Sequence, residues 1–427
     1  MKIAYLLPGS GGSFYCGNCT RDKFLTQSLK RAGNDILMIP MYLPLTIDEC
    51  AADSPIFYGA VNMYLEQLSP MFRFLPKAVK KFLDSDKILQ IAAKQSGSTR
   101  VAGNEALTIS MLNGENGKQA NDLNKLISWL KTHEKPDVVH ISNALLSGLA
   151  AKLKMELGCK VICTLQDEDE WVDEMSEPYC SQTWKMISKN AAHIDAFIAV
   201  SSYYAKLMRE KLHVPESKIK VVYNSIGADL IRNNQHPSHF HTIGYMSKIN
   251  SHFGADLLFE AFAELKKESE FSGLKLKYTG GYTDDYRSII SGITTKAKKR
   301  NLLNDIEFYE DLSYDGKKRF LDAISLYCVP SRRKEAFGMH VLEAFAAQVP
   351  AVLPGIGAYS ELIDKSKAGI CYNPEEVDAL VNTLRNVLTD RKLYASLQQN
   401  CHLALKETFG TAEQTQKLGE IYRAATD

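Results

Sequence analysis

Short apolar runs alternate with amphipathic stretches along most of this chain. Residues 3–7 form an apolar run that enters a glycine loop, and a helical spacing of Leu25, Leu29 and Ala32 follows and stops at Gly33. Further buried-strand runs stand at 36–39, 137–141, 160–165, 196–200 and 220–223, with a helical pattern at 123–130. A polar cluster, Asn233-Asn234-Gln235-His236-Pro237, interrupts the alternation, which then restarts. Strands are expected at 242–246, 274–278, 306–309, 325–329 and 351–355, and a helix at 254–267. Continuous apolar runs joined by helices predict parallel sheets covered on both faces, and the restart predicts two doubly wound α/β domains. The boundaries expected are 1–235 for the first domain and 236–410 for the second, with the junction in the turn-forming stretch 231–241. A final helix, 411–427, carries Leu418, Ile421 and Tyr422 on one side.

Residues 42–118 are the irregular part, with a strand-like stretch at 54–57 and a long helical one at 71–94. In the latter, Phe72, Phe74, Leu75, Val79, Phe82 and Leu83 interleave with Arg73, Lys77, Lys80 and Lys81. A basic amphipathic helix can lie on an anionic membrane surface, giving peripheral contact through 71–94. The more ordinary reading is a helix packed on its own domain with the lysines in solvent.

Composition narrows the classes. The chain has 427 residues, with 51 Lys+Arg against 50 Asp+Glu, so its charge gives no general attraction to nucleic acid. No apolar stretch approaches the length that spans a bilayer, and the opening run reads as a strand rather than a leader. The nine cysteines are scattered through a large chain, which favours reduced thiols. A cytoplasmic protein is expected, with or without membrane association.

The most specific chemistry lies in 328–351, CVPSRRKEAFGMHVLEAFAAQVPA. It reads as a strand end, a polar loop holding Arg332, Arg333 and Glu335, and a helix opened by Gly338 and stopped by Pro350. The backbone N–H groups of Phe337, Gly338 and Met339 would stand at a helix N-terminus, which suits a phosphate or diphosphate. Glu335 and Glu343 flank that end, and carboxylates accept hydrogen bonds from hydroxyls. Together they describe a seat for a sugar nucleotide.

This segment, Glu335-Ala-Phe-Gly-Met-His-Val-Leu-Glu343-Ala344, resembles the donor-binding motif of retaining glycosyltransferases of family 4 (group 1). The resemblance implies the GT-B fold: two Rossmann-like domains facing each other across a cleft, with the last helix returning to the first domain. It implies that Glu343 binds the donor ribose and Glu335 the donor sugar. It also places the loop after the first strand, Gly11 and Gly12, beside the donor. Asn143, ending the strand at 137–141, becomes a partner of the sugar, and His140 stays open between a site residue and a core histidine. Tyr309 and Leu312, after the strand at 306–309, become nucleobase contacts. Gln166 falls where many relatives carry histidine, and the acids Asp167-Glu168-Asp169-Glu170 read as a solvated loop or a holder of sugar hydroxyls. Cys16-Gly-Asn-Cys19 lacks a second half for a zinc site and reads as structural.

One departure stands out. The family follows the strand opening the second domain with an arginine and, after four residues, a lysine. Here Lys248 takes the first position and Phe253 the second. Either Arg332, Arg333 or His252 supplies the missing cation, or the donor site is weakened, or its leaving group differs. The reaction implied is transfer of a hexose from a nucleoside diphosphate sugar to a hydroxyl of a glycan or lipid-linked saccharide, with retention, no cofactor and no essential metal. The alternatives are a nucleotide-sugar epimerase on the same fold and a degenerate nucleotide-sugar-binding protein. A nicotinamide dehydrogenase is disfavoured, because Gly9, Gly11 and Gly12 lack the spacing of a dinucleotide loop.

Overall fold

The computed structural model describes residues 1–8, 17–42, 101–227, 241–280, 286–376 and 378–426. The chain divides into two compact units: one takes the first strand, Asn18–Tyr223 and Gln414–Asp427, and the other is built on Asn224–Glu413. The division therefore falls before the polar cluster at 231–241, most of which lies outside the described residues.

Each unit holds one six-stranded sheet, and every recorded pairing is parallel. In the first unit the order is β2-β1-β3-β4-β5-β6. The strands are β1 (Lys2–Leu7), β2 (Asp35–Pro40), β3 (Val138–Ile141), β4 (Lys160–Leu165), β5 (Ala196–Ala199) and β6 (Ile219–Val221). In the second unit the order is β12-β11-β10-β7-β8-β9. These strands are β7 (Thr242–Met246), β8 (Lys275–Thr279), β9 (Ile306–Tyr309), β10 (Leu326–Cys328), β11 (Ala351–Pro354) and β12 (Gly369–Tyr372). Strands read from apolar runs thus fall within a residue or two of their expected limits. The edge strand at 369–372 was not among those expected.

The first core shows how the pattern folds. Alternate residues Ile3, Tyr5 and Leu7 of β1 point to one face, where they meet Ile36, Met38, Val138, Ile162 and Ile198 of the neighbouring strands. Leu25 and Leu29 of the helix Gly17–Arg31 cover this face together with Leu418 and Tyr422 of the helix Thr411–Thr426. Leu418 and Tyr422 are four apart, one turn on a single helix face. From Gln414 onward the last helix is therefore part of the first unit. The segments at 54–57 and 71–94 lie outside the described residues. No described helix is long and apolar enough to cross a membrane.

Candidate functional site

In an open parallel sheet, ligands bind beyond the carboxyl ends of the strands, where the order reverses and two loops part in opposite directions. In the second sheet that switch lies between β7 and β10. The loop after β7 carries Lys248 and the loop after β10 carries Arg332, Arg333 and Glu335, so the topology brings these side chains to one edge.

Close backbone approaches set the geometry. Gly254 caps the helix Ala255–Leu265 in a left-handed conformation (φ 71°), and a Cβ there would lie 2.0 Å from the Pro330 carbonyl oxygen. Only glycine allows the two loops to touch in this way. The Arg332 N–H donates to the His252 carbonyl (2.8 Å) and completes the join. Beneath it, Tyr245 Oη donates to the Lys248 carbonyl (2.8 Å), and Tyr327 Oη donates to the Met246 carbonyl (2.6 Å). These tyrosines are fully buried, and burial pushes both phenols well above their usual range, with the negative charge of Glu335 adding to each. Glu335 is half-buried.

The helix Met339–Ala346 starts at Gly338, which is left-handed (φ 101°) and fits against Tyr359 at a spacing that a Cβ would violate, 2.8 Å. Phe337 and Met339 flank it, both buried, and Phe337 packs edge-on against Phe409 with centroids 5.9 Å apart. His340, just inside the helix, lies between Tyr327 Oη (2.8 Å) and Tyr359 Oη (3.2 Å); burial lowers its pKa to about 3, so it stays neutral. Glu343 sits one turn further, its side chain 6% exposed. Its Oε1 accepts from Lys317 Nζ at 2.7 Å. Tyr309 ends β9; its hydroxyl accepts from Lys277 Nζ (3.0 Å), and its ring meets Phe320 edge-on. Leu312 follows, half-buried, just before the helix Tyr314–Asp322.

The cations are not equivalent. Arg332 places its fork on Asp256, Nη1 to Oδ1 at 2.9 Å and Nη2 to Oδ2 at 2.8 Å, and Nη1 also donates to the Ser251 carbonyl (2.6 Å). In this arrangement the Arg332 guanidinium clamps the loop to the helix Ala255–Leu265, and the donor-binding role expected for it must compete with that pair. Phe253 is 4% exposed, and Lys248 Nζ lies 5.9 Å from its ring centroid. An aromatic face under a lysine attracts it weakly. The position where a second cation was expected is thus part of the core.

In the first unit Asn143 is absorbed into local structure. Its Oδ1 accepts from the Leu145 N–H (2.8 Å) and caps the turn that follows, while Nδ2 donates to the Gln166 carbonyl (3.1 Å). The sugar-binding role expected for it must compete with both bonds. His140 is a core residue, wholly buried, with Nε2 2.8 Å from Thr164 Oγ1 and Nδ1 2.5 Å from Tyr422 Oη. Burial and the nearby Arg21 hold its pKa well below the usual histidine value. The solvated-loop reading of the acids 167–170 fails for Glu168. Glu168 is fully buried and accepts from the Ala144 N–H (2.9 Å), the Gln166 N–H (2.8 Å) and Tyr204 Oη (2.8 Å). Gly11, Gly12 and Cys16 lie outside the described residues.

Sequence reasoning gave no role to Lys317, Arg21 or Asp22. A signal existed for two of them. Asp22 lies on the stripe of Leu25 and Leu29, and Lys317 on that of Phe320 and Leu321, so each is a charge on a core-facing row.

With this geometry in hand, two family models match the chain. "Glycosyl transferases group 1" covers residues 228–402, and "Glycosyltransferase Family 4" covers 105–230. An uncharacterized glycosyltransferase of Methanocaldococcus jannaschii is 22% identical over 318 residues, covering 69% of this chain and 77% of that protein. A lipopolysaccharide core biosynthesis mannosyltransferase of Rhizobium meliloti is 27% identical over 104 residues, 24% of this chain and 29% of the relative. The similarity to an exopolysaccharide phosphotransferase of Streptomyces coelicolor, 29% identical over 25% of this chain, takes in only 12% of that protein. The chain thus spans under a third of the length of these last two relatives. Among solved structures, HepE of Anabaena in complex with UDP has a TM-score of 0.68 at 15% identity, with 99% of this chain and 100% of that one covered. Sucrose-phosphate synthase of Thermosynechococcus elongatus has a TM-score of 0.70 at 15% identity, covering 99% and 98%. At such identities the likeness shows the fold, which is GT-B.

Proposed function

This chain belongs to the group 1, family 4 glycosyltransferases, and from that premise we propose that it moves a hexose from a nucleoside diphosphate sugar to a hydroxyl of a glycan or lipid-linked saccharide, with retention of configuration. The observation that carries the reading is the gathering of Lys248, Glu335 and the start of the helix Met339–Ala346 at the switch point of the second sheet. A leaving diphosphate needs positive potential that is already in place, because charge aimed at the transition state is often the largest catalytic term. Lys248 and the helix end supply it, with Arg333 rather than Arg332 as the supporting cation. Glu335 accepts from hydroxyls of the transferred sugar and fixes its orientation. Glu343 accepts from the ribose, and the Tyr309–Leu312 turn borders the base. The acceptor hydroxyl attacks on the face the diphosphate leaves from, and the diphosphate takes its proton. No metal is needed in this scheme.

That UDP accompanies a structure of the same fold supports a nucleotide ligand. The test is calorimetry with uridine, guanosine and adenosine diphosphates and their hexose conjugates, followed by a hydrolysis and transfer assay. One nucleotide should bind, its sugar conjugate should turn over, and EDTA should leave turnover unchanged. Binding without turnover would favour a degenerate binding protein. Loss of turnover in EDTA, restored by Mg²⁺ or Mn²⁺, would overturn the metal-free scheme.

A further inference from the structure

The pair Lys317–Glu343 has no counterpart in the sequence reading. Its lysine comes from the helix Tyr314–Asp322, while its carboxylate comes from the helix Met339–Ala346. The Nζ to Oε1 distance is 2.7 Å, with side chains 18% and 6% exposed. Ion pairs this enclosed are costly to assemble and are weak evidence for stability alone. A use beyond stability is therefore worth seeking.

The start of the lysine's helix is tightly fixed. The Ser313 N–H donates to Asp311 Oδ1 (3.0 Å), and Ser313 Oγ accepts from the Gly316 N–H (3.1 Å). Arg319 Nη2 donates to Asp311 Oδ2 (2.5 Å). A Cβ on Gly316 would lie 2.3 Å from the Asp311 carbonyl oxygen, so only glycine lets the helix begin this close to the turn. Lys317 is the next residue. The connection that carries Tyr309 and Leu312 thus also aims a cation at the buried carboxylate.

We infer that Lys317 is a positioning residue: it holds the Glu343 carboxylate by one oxygen so that the group meets the 2′,3′-diol of a donor nucleotide. The inference rests on the sugar-nucleotide reading of the site. A carboxylate has about four acceptor positions, so a lysine on Oε1 is compatible with hydroxyls on the same group. Lys317 touches neither the sugar nor the diphosphate; it acts through Glu343. Through this ion pair, ribose recognition and the base-bordering turn become one mechanical unit.

The experiment is titration of wild type, Lys317→Met, Lys317→Arg, Glu343→Ala and the Lys317→Met/Glu343→Ala double variant with the nucleoside diphosphate that wild type prefers. The 2′,3′-dideoxy analogue is titrated in parallel. Lys317→Met should lose roughly tenfold or more in affinity for the ribonucleotide, as expected for one charged hydrogen bond misplaced. Lys317→Arg should retain most of it, and the double variant should bind no worse than Glu343→Ala. The dideoxy analogue should bind wild type and Lys317→Met alike, a result that a merely structural lysine would not produce. With sugar donor, KM should rise while kcat holds. Should Lys317→Met prove unfolded, the Lys317→Gln variant carries the same comparison. Wild type binding no nucleotide would overturn the sugar-nucleotide reading and this inference with it. Normal nucleotide binding by wild type with equal or tighter ribonucleotide binding by Lys317→Met would overturn the inference alone.

Discussion

The two sheets share six parallel strands and a single switch in strand order, yet they handle polar groups differently at their carboxyl edges. In the first unit one set of buried polar residues, centred on Arg21 and Asp22, forms a closed network. Arg21 Nη1 donates to Asp22 Oδ1 (2.8 Å) and to Tyr5 Oη (3.0 Å), Tyr5 Oη donates to Asp22 Oδ1 (2.7 Å), and Arg21 Nη2 donates to Thr164 Oγ1 (3.2 Å). Thr164 passes the chain to His140 and on to Tyr422 of the last helix. In the second unit Lys248, Arg333 and Glu335 are only half-buried at the rim, although Tyr245 and Tyr327 beneath them are sealed. A charged residue near a strand end is therefore not by itself a binding group. What separates Arg21 and Asp22 from Lys248 and Glu335 is that their own unit has already enclosed them.

The largest effect expected is on the first unit. Arg21 and Asp22 are 3% and 2% exposed, and removing one partner leaves a buried charge without compensation. Asp22→Ala should cost about 3–5 kcal/mol of stability in urea unfolding. Below the unfolding transition, nucleotide affinity should stay within about twofold of wild type, a factor worth under ~0.5 kcal/mol. A stability loss under about 1 kcal/mol would show that the network is not held together as an enclosed unit.

Next is Glu335→Gln in the second unit. A hydrogen bond to a charged group is worth roughly 1.5–3 kcal/mol, so turnover of the sugar donor should fall about 10–100-fold. Affinity for the plain diphosphate should hardly change, since the partner of Glu335 is the sugar. If diphosphate affinity fell while turnover held, Glu335 would belong to the phosphate seat instead.

The same contrast explains what the sequence could reveal. Strands such as 160–165 and 242–246 were legible residue for residue, because a strand buried on both faces is a continuous apolar run. The helix–loop arrangement of 335–343 was legible because its residues are close in sequence, and the Gly338 start and the placement of Glu343 on the helix follow from local rules. Lys317 was not, since its partner is 26 residues away and only tertiary packing joins them. Glu168 was misread for the same reason. Three neighbouring acids suggest solvent, but donors from Ala144, Gln166 and Tyr204 converge on this one. The partner of Arg332, Asp256, was equally out of reach, because it lies 76 positions earlier.

Glu168 gives a test with a defined sign. Burial outweighs its three hydrogen bonds and raises the carboxyl from 4.5 to about 7. A carboxyl raised on folding contributes stability that is present in full below its unfolded pKa and is lost as pH rises through the folded one. Wild type should therefore lose about 1–2 kcal/mol between pH 6 and pH 8 from this group. Glu168→Gln cannot titrate, so wild type should lose stability relative to the variant by this amount over that window. The other groups nearest this carboxyl, Asp167, Asp169, Tyr204 and Cys163, are common to both proteins and cancel in the difference. Urea midpoints at pH 5, 6, 7 and 8 measure it, and parallel profiles would mean that Glu168 stays charged when buried.

The smallest effect should come from Arg332, and it sharpens the comparison most finely, because Arg332 and Arg333 are neighbours at the same rim. Arg332 spends its fork on Asp256, with side chains 41% and 38% exposed. An ion pair this open is worth at most about 1 kcal/mol. Arg332→Ala should thus lower stability by about 0.5–1 kcal/mol and leave diphosphate affinity nearly unchanged. Arg333 is half-buried, and the Ser331 hydroxyl pins its backbone: Oγ accepts from the Arg333 N–H (3.0 Å) and donates to its carbonyl (2.8 Å). A guanidinium on so well-fixed a backbone is suited to a phosphate oxygen pair. Arg333→Ala should therefore weaken diphosphate binding by several-fold where Arg332→Ala does not, with titrations of both variants on one nucleotide as the measure. Equal losses would place both arginines in the phosphate seat and mean that Asp256 releases its partner on binding. Wild-type affinity in both would leave Lys248 and the helix start as the whole of the positive field, with the buried Phe253 ring beneath Lys248 in place of a second charge.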